Sequence, residues 1–444
     1  MKQHNIVNLK HLLFFVGFSI SATVFGQQRT ITLNEAIDLS LKNSKQLKIG
    51  SARIMGANAV LTEAEDNRLP GFNVSGSYLR LMNPNISLKT KAFSRGSSSD
   101  SSRQPSPTQA IYGIASLTYP LYAGGRIKYG IESAKLLQKA ANLDVENDKQ
   151  GVILNTIDAF INLYKSEKVI TLFRRSLEES RKRDTDFLRL ENNGIMARND
   201  RLKASLQTSN IELSLLDAEN NNHIANVNLD LMLGLSENTI LLPDSLSLQP
   251  VTQNRTLDEY EKLALHRKDL EAISFRQKAS ASQVKIARGL NYPGIALTGG
   301  YIAASIPGLL TITNAVNAGL GIQYNLAGLW KTNTSIQKAR ARENELLADA
   351  EQLSDAIRLQ VNKDYENYLL STKKIDVYNN ALVQAKENYR ITRNKYNNSL
   401  VTTTDLLEAD VAQLQAELNL AIAQADKISL YNKLLATAGS LNTK

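Results

Sequence analysis

The sequence offers few side chains that could carry out covalent or metal chemistry. It contains no cysteine and four histidines, of which only His223 and His266 lie beyond position 26. No Gly-rich loop follows a predicted strand to cradle a phosphate, and no His-Glu-x-x-His pair is present to bind zinc. We therefore expect no enzyme activity, no catalytic residue, no cofactor and no metal site. His223 has no second histidine near it and is interpreted as a structural residue.

Charged side chains are the other source of chemistry in this chain. The 52 lysine and arginine residues exceed the 43 aspartate and glutamate residues and give a formal net charge of +9. The basic residues are scattered and form no dense run with interleaved aromatic residues, which a nucleic-acid surface would require. They are typical of a solvated surface, so we expect no nucleic-acid partner.

The segment 1–26 has the features of a secretory signal peptide. Lys2 and Lys10 precede an apolar run, Leu12 to Ile20, that is shorter than the roughly 20 residues of a membrane-spanning helix. We place the mature start near Gln27. A secreted chain without cysteine has no disulfide bonds, so packing must hold it together.

Nine prolines mark positions where a long helix is improbable. They leave two proline-free tracts, 121–242 and 308–444, which are rich in Ala, Leu, Gln, Lys and Glu. The segment 126–192 alone has room for a helix of about 65 residues, which would be about 100 Å long. An ordinary globular domain does not need rods of this length.

The two halves of the chain repeat each other. Leu69-Pro70-Gly71 aligns with Tyr292-Pro293-Gly294, and further along the chain the segment 119–234 aligns with 324–439 without a gap. An ungapped match of this length requires long helices of equal length in both halves.

The two alignments pair residues at different separations along the sequence. The difference means that one loop is longer in the first half than in the second. A loop at 83–109, rich in Pro, Gly and Ser, is much longer than its counterpart at 306–314. The predicted organisation is a signal peptide at 1–26, a first repeat at 27–240, a linker at 241–255, a second repeat at 256–440 and a tail at 441–444.

Each repeat contains two predicted strands and a pair of long helices. The first repeat has strands at about 72–82 and 111–122 and helices over 126–234; the second has strands at about 295–304 and 316–326 and helices over 331–438. The strand at 316–326 alternates apolar residues with small or polar ones, as a barrel strand with one face in lipid does. The alternative to membrane barrel strands is that the four segments are half-buried strands of a soluble β-sandwich.

Four such strands cannot close a barrel, and an open edge is not tolerated in lipid. Two copies would give eight strands around an interior filled by side chains, whereas three would give twelve strands around an aqueous lumen. The small, polar strand face favours a homotrimer surrounded by outer-membrane lipids.

The last long helix carries a coiled-coil seam with alternating spacings of four and three residues. Its positions are Leu407, Val411, Leu414, Leu418, Ala421, Ala425, Ile428, Asn432 and Leu435. The equivalent positions of the first repeat include Ser209, Asn220, His223 and Asp230. We interpret these polar members as register devices or subunit contacts.

Two local motifs carry a family resemblance. Tyr119-Pro120-Leu121-Tyr122-Ala123-Gly124-Gly125-Arg126 is similar to a strand-to-helix junction in which Pro120 ends the strand and Gly124 and Gly125 open the helix. The segment 396–409 is similar to a turn between two helices at a tunnel tip. With the signal peptide and the repeat, these motifs resemble the TolC family of outer-membrane factors over nearly the whole mature chain.

The resemblance implies a fold that is mainly α with a membrane β-barrel contribution. It is a tandem repeat of β-β-long α-long α, in which three chains form a twelve-stranded barrel continuous with a periplasmic α-helical coiled-coil tunnel. The implied function is a passive exit duct of a tripartite efflux or type I secretion system in the outer membrane of a Gram-negative bacterium. The implied partners are a periplasmic adaptor protein and an inner-membrane transporter of the RND or ABC type.

The resemblance also places channel-entrance carboxylates on Asp405 and Glu408. These residues share one helix face, and threefold symmetry would turn each into a cation-selective ring. The alternative is two solvated acids in a first helical turn, where acids are favoured in any case.

The tip departs from the family pattern in several places. Tyr396 is present, but the tip glycine is Gly194 in the first repeat and Ser399 in the second, and Val401 replaces an arginine. A lock between helix pairs must then use another cation, and we expect Arg198 or Arg201.

The first-repeat counterpart of Asp405 is Asp200, which we include in the gate.

A non-conducting periplasmic coiled-coil scaffold or adhesin is the remaining alternative function. The exported substrate, which could be small toxic compounds, metal ions or polypeptides, is left open by the sequence.

Overall fold

The computed structural model describes residues 28–82, 107–248 and 255–441. The expected signal peptide and nearly all of the long loop at 83–109 lie outside the described residues. Within the described ranges, the chain contains two copies of a unit of two short helices, two strands and two long helices. This order confirms the predicted tandem repeat of β-β-long α-long α.

The first copy consists of β1 (Gln28–Ile31), α1 (Leu33–Asn43), α2 (Lys45–Asp66), β2 (Gly71–Arg80), β3 (Gln109–Tyr122), α3 (Arg126–Asn192), α4 (Arg198–Leu233) and β4 (Ile240–Pro243). The second copy consists of α5 (Leu257–Ala264), α6 (Lys268–Gly289), β5 (Gly294–Ile306), β6 (Leu310–Gln323), α7 (Gly328–Asn397) and α8 (Thr403–Thr437). A short 3₁₀ helix, Ser245–Leu248, follows β4.

The long helices dominate the molecule. With 67 residues in α3 and 70 in α7, each rod is about 100 Å long at the helical rise. The two rods do not lie side by side: α3 packs between α4 and α8, and α7 packs on the far side of α8. The spatial order is therefore α4, α3, α8, α7, with α4 and α7 outermost.

Glycines end the long pairs at equivalent positions of the two repeats. Gly234 and Gly439, which the ungapped match aligns with each other, have φ angles of 71° and 68°. These left-handed conformations are readily adopted by glycine and end a helix by capping its last carbonyl groups. The shared stop explains why the two halves align without a gap up to these residues.

The short elements cover one side of α3 near its middle. Phe160 of α3, Leu229 of α4 and Ile31 of β1 are completely buried in one apolar cluster. In the same region β1 pairs in parallel with β4. Part of the predicted linker at 241–255 is therefore structured: residues 241–243 belong to a strand, and Leu248 is buried. Leu441, predicted to start the tail, is also buried.

The other four strands form one antiparallel sheet in the order β2-β3-β5-β6. The predicted bounds of β6, 316–326, are wrong. The strand begins earlier, at Leu310, and ends earlier, at Gln323. The loop before β6 is therefore shorter than the predicted 306–314 and consists of residues 307–309. Gly308 in this loop has a φ angle of 77°. The sequence 310–313, Leu-Thr-Ile-Thr, has the β-branched residues that favour strands.

Candidate functional site: the sheet faces and the helical tip

The four-stranded sheet has two chemically different faces. Residues paired directly across strands point to the same face. One row across the sheet is Val74, Ala115, Tyr301 and Val316, and the neighbouring row on the opposite face is Asn73, Ser116, Gly300 and Asn317. One face is thus apolar and aromatic, and the other is mainly small or polar.

The apolar face of the sheet is uncovered in the single chain. Val74, Val316 and Ile322 have exposed fractions of 72%, 79% and 74%. Apolar side chains at such positions favour a hydrocarbon environment. Among the residues that the structure describes, no helix combines the length and apolar character needed to cross a membrane.

The junction between β3 and α3 is built on close backbone contact. Gly124 and Gly125 have φ angles of 61° and 77°, which favour glycine. A Cβ atom added to Gly289 of α6 would lie 2.6 Å from the Gly124 carbonyl oxygen. Pro120, which has no N–H, lies where the pairing of β3 with β5 becomes irregular. The predicted junction residues therefore lie where the strand passes into the helix.

The two hairpin turns, 193–197 and 398–402, form the tip of the molecule. Gly194 and Ser399 have φ angles of 72° and 57°. The same hydrogen bond closes both turns: Ile195 N donates to Leu190 O, and Leu400 N donates to Lys395 O, each at 2.9 Å. Ser399 therefore adopts the glycine-type conformation despite its side chain.

An apolar cluster joins the two hairpins just above the tip. Phe187 of α3 and Leu406 of α8 are both buried in it. The ring of Tyr396 lies 5.8 Å from that of Phe187, and its hydroxyl lies 3.4 Å from Thr403 Oγ1. Tyr396 thus contacts the first repeat through its ring and α8 through its hydroxyl.

Asp405 caps its own helix. Its carboxylate accepts hydrogen bonds from the backbone N–H of Thr402 at 2.8 Å and from the Thr402 hydroxyl at 2.7 Å. These bonds lower the pKa of Asp405 and keep the carboxylate charged. Glu408 is exposed one turn further along and makes no hydrogen bond or ion pair within the described part of the chain.

The cations of the first-repeat tip have different surroundings. Arg201, expected as a lock between helix pairs, forms an ion pair with Glu191 of its own hairpin. Arg198 is exposed and forms no ion pair with any described residue. Lys203, the repeat equivalent of Glu408, lies 3.4 Å from Asp200 and donates a 3.0 Å hydrogen bond to Thr404 Oγ1. Lys203 thus makes a polar contact between the two hairpins close to the tip turns.

A series of ion pairs, the α3–α8 ladder, begins near the tip and follows these two helices toward the sheet. Its rungs are Arg183 with Asp410 at 2.6 Å, Arg175 with Glu417, and Lys165 with Asp426 at 3.1 Å. Burial and then the Asp410 carboxylate raise the pKa of the adjacent Tyr389 hydroxyl. No local sequence pattern predicts this ladder, because the partners of each rung lie in different halves of the chain. Knowledge that α3 and α8 are antiparallel neighbours would have revealed it.

The described residues contain no cluster of three or more His, Cys, Asp or Glu side chains that could hold a metal ion. Asp405 and Glu408 belong to α8, whereas Asp200 belongs to α4. Asp405 and Glu408 are exposed in the single chain, and Asp200 is half-buried beside Lys203.

Comparison with known proteins gives one family match. A family model described as outer membrane efflux protein matches residues 36–235 and 260–440. No curated protein matches the sequence.

Several solved structures share the fold. The outer-membrane channel OprN superposes with a TM-score of 0.78 at 18% identity, covering 92% of this chain and 90% of its own. VceC from Vibrio cholerae gives a TM-score of 0.75 at 19% identity, with 92% and 97% covered. The CmeC outer membrane channel of Campylobacter jejuni gives 0.75 at 18% identity, with 92% and 86% covered. The likeness extends over nearly the whole described chain.

Proposed function

The chain belongs to the outer membrane efflux protein family, and on this premise we propose that it is one subunit of a passive exit duct. That family consists of channel proteins of the outer membrane and is not a family of enzymes. The protein is accordingly located in the outer membrane of a Gram-negative bacterium. Its long helices extend into the periplasm.

The division of the sheet into two faces is the observation that carries the proposal. The apolar face with Val74 and Val316 would contact lipid, and the face with Asn73 and Asn317 would line water. Neither a soluble sandwich nor a periplasmic scaffold explains an apolar sheet face that no other described element covers.

The unpaired sheet edges support an assembly of several copies. β2 and β6 are the outer strands and run antiparallel to each other, so β6 of one chain can pair with β2 of the next. Three copies give twelve strands, enough for an open aqueous lumen. The homotrimer thus closes every edge that a lipid environment would penalise.

The predicted gate residues lie at the far end of the helices. We propose that Asp405 and Glu408 form carboxylate rings at the entrance, with Tyr396, Asp200, Arg198 and Arg201 around them. The low pKa of Asp405 supports this role, because a ring selects cations only while its carboxylates are charged.

The partners follow from what a passive duct lacks. A channel without an energy source needs an inner-membrane transporter of the RND or ABC type and a periplasmic adaptor protein to reach it. We propose export of small toxic compounds or polypeptides through a tripartite efflux or type I secretion system.

Mass measurement of the purified full chain tests the assembly. We expect three copies in detergent micelles and loss of solubility when detergent is removed. A monomer that is soluble without detergent would contradict the duct and favour the non-conducting scaffold.

A further inference from the structure

An open cleft of about 540 Å³ lies at the junction between β3 and α3. Tyr119, Leu121 and Tyr122 of β3 form one wall of the cleft, and Ile127 of α3 adds an apolar side chain. The three β3 side chains have exposed fractions of 39%, 54% and 45%. The cleft therefore has an apolar and aromatic wall that is open to solvent in the single chain.

The cleft opens on the side of the sheet that faces lipid in the proposed duct. Tyr119, which lines it, pairs with Leu297, and Leu297 pairs with Leu320, so this row belongs to the apolar face. β3 is an inner strand, and closing the barrel uses only the edge strands β2 and β6. The cleft lies at the end of β3 from which α3 continues, which places it at the periplasmic leaflet of the membrane.

Cationic side chains border the cleft. Arg68, which lies between α2 and β2, and Lys128 of α3 both line it and are exposed. Lys285 of α6 reaches the same region. Its Nζ lies 5.0 Å from the centre of the Tyr129 ring, and the Nζ of Lys128 lies 5.7 Å from that centre. Three cations from different elements thus meet beside the apolar wall.

The three cations have no anionic partner in the described part of the chain. Other cations on the same helices, farther from the sheet, are paired. Arg53 of α2 forms an ion pair with Asp148, and Arg276 of α6 forms one with Asp144. The unpaired cations are therefore confined to the sheet end of these helices.

The sequence around the sheet is nearly free of carboxylates. The segment 272–342, which contains β5 and β6, has no Asp or Glu. In the segment 67–131, which contains β2 and β3, Asp100 is the only acid, and it lies outside the described residues. The cleft therefore has a positive surrounding that suits an anion.

We propose that this cleft binds an anionic glycerophospholipid of the periplasmic leaflet. The phosphate group lies among Arg68, Lys128 and Lys285, and an acyl chain follows Tyr119 and Leu121 toward the sheet. Basic pockets attract anionic headgroups, and tyrosine rings favour the boundary between headgroups and hydrocarbon. This inference rests on the proposed duct and names the lipid class that its barrel recognises.

The surroundings of the cleft favour this occupant over two others. A zwitterionic lipid would bring an ammonium group to a place where no carboxylate can accept its hydrogen bonds. A free phosphate ion would use the cations but leave the exposed apolar wall in water. Only a lipid with a net negative headgroup matches both parts of the cleft.

Lipid binding to the purified full-length trimer tests the inference. Phosphatidylglycerol and phosphatidylcholine with identical, radiolabelled acyl chains are each titrated in mixed micelles onto the immobilised trimer, and the retained label is counted. We expect phosphatidylglycerol to bind severalfold more tightly than phosphatidylcholine. Equal affinity of the parental trimer for the two lipids would overturn the inference.

Neutral substitution of the three cations locates the site. Arg68→Gln with Lys128→Gln and Lys285→Gln should reduce the preference for phosphatidylglycerol severalfold. Exchange of the cations for each other, by Arg68→Lys with Lys128→Arg and Lys285→Arg, should retain it. An undiminished preference in the neutral variant would overturn the inference.

A control variant removes the same number of charges elsewhere. Lys149, Lys182 and Lys373 are exposed on α3 and α7, farther from the sheet, and form no ion pair with a described residue. Lys149→Gln with Lys182→Gln and Lys373→Gln should leave the lipid preference unchanged. An equal loss in this control would show that only the total charge matters and would overturn the assignment to the cleft.

Inorganic phosphate distinguishes a lipid site from a site for a free anion. Excess phosphate should displace no more phosphatidylglycerol than sodium chloride of equal ionic strength does. Specific displacement by phosphate would assign the cleft to a free anion and overturn the lipid proposal.

The parental protein separates the two possible failures. A monomer that is soluble without detergent would contradict the proposed duct itself. A conducting trimer that does not distinguish the two lipids would leave the duct standing and remove this inference alone.

Discussion

Arg183 of α3 donates a 2.6 Å hydrogen bond to the carboxylate of Asp410 in α8, and the two residues belong to different repeats. Both side chains are nearly buried, so the pair is shielded from water and salt. It fixes one hairpin against the other a few helical turns above the tip. Among the described residues, it is the least exposed ion pair that joins the two repeats.

Loss of this cation should destabilise the fold. Arg183→Met leaves the Asp410 carboxylate buried without its partner, and we expect the free energy of unfolding to fall by about 3 to 5 kcal/mol. The control is Arg174→Met, whose pair with Glu219 is exposed by 64% and 39%, and which should cost less than about 1 kcal/mol. Denaturant unfolding followed by circular dichroism compares them. Equal losses would contradict the special role of Arg183.

Asp230 should make stability depend on pH. Burial raises the pKa of Asp230 from 3.8 to about 6. Between these two pH values the carboxyl group is protonated in the folded state and ionised in the unfolded state. Stability from this group is therefore lost as the pH rises from about 4 to 6 and changes no further above that. Asp230→Asn cannot ionise and should gain melting temperature, relative to the parent, between pH 4 and pH 7.

The exposed carboxylate of Asp217, on the same helix, provides the control for this measurement. Asp217→Asn should show no comparable gain over that range. A gain for Asp230→Asn that is the same at both pH values would contradict the account, because only a titrating group produces the change.

The β3–α3 junction should not tolerate a side chain at Gly124. Gly124→Ala would push a Cβ atom into the Gly289 carbonyl oxygen at a left-handed φ of 61°, so we expect a loss of at least about 1 to 3 kcal/mol. Gly130→Ala is the control, because nothing lies within 4 Å of its Cβ position. That helical substitution should stabilise by about 0.5 to 1 kcal/mol. Similar thermal stability of the two variants would be inconsistent with close packing at the junction.

Ser399 should be a conformational weak point of the second tip turn. Its φ of 57° costs a residue with a side chain about 1 to 2 kcal/mol relative to glycine. Ser399→Gly should therefore raise the free energy of unfolding, and the reverse change Gly194→Ser should lower it. The space around Gly194 is open within 4 Å, so only the backbone conformation is tested. A lower free energy of unfolding for Ser399→Gly, or a higher one for Gly194→Ser, would refute this view of the tip.

Neutral substitutions at the entrance should weaken ion selectivity. Asp405→Asn keeps an oxygen that can accept from Thr402, and with Glu408→Gln it removes both proposed rings of charge. The reversal potential in a KCl gradient should move toward zero. Glu417→Gln, a buried carboxylate of the ladder, is the control and should leave selectivity unchanged. Unchanged selectivity in the entrance variant would rule out these rings.

Much of the helical architecture could be predicted because it depends on local signals. The presence of long helices within 121–242 follows from proline exclusion and helix propensity, and the equality of the repeats follows from an ungapped match. The tip turn at Ser399 could be placed because Gly194 occupies the equivalent position. These features could be predicted because a neighbouring residue or the other repeat carries the information.

Contacts between distant segments could not be predicted in the same way. β1 and β4 are short strands in which Gln28 pairs with Ile240, so no periodic pattern announces their pairing. The ion pair of Arg201 with Glu191 spans the turn between α3 and α4 and was not predicted either, and the role of Arg201 in a lock between helix pairs stays a prediction. Lys203, in contrast, donates a hydrogen bond to Thr404 of the second hairpin.

Single-channel recording of the purified full chain in planar lipid bilayers tests the proposed duct most directly. We predict discrete, uniform conductance steps that carry cations in preference to anions. Absence of any conductance from protein that is folded and inserted in the membrane would contradict the account.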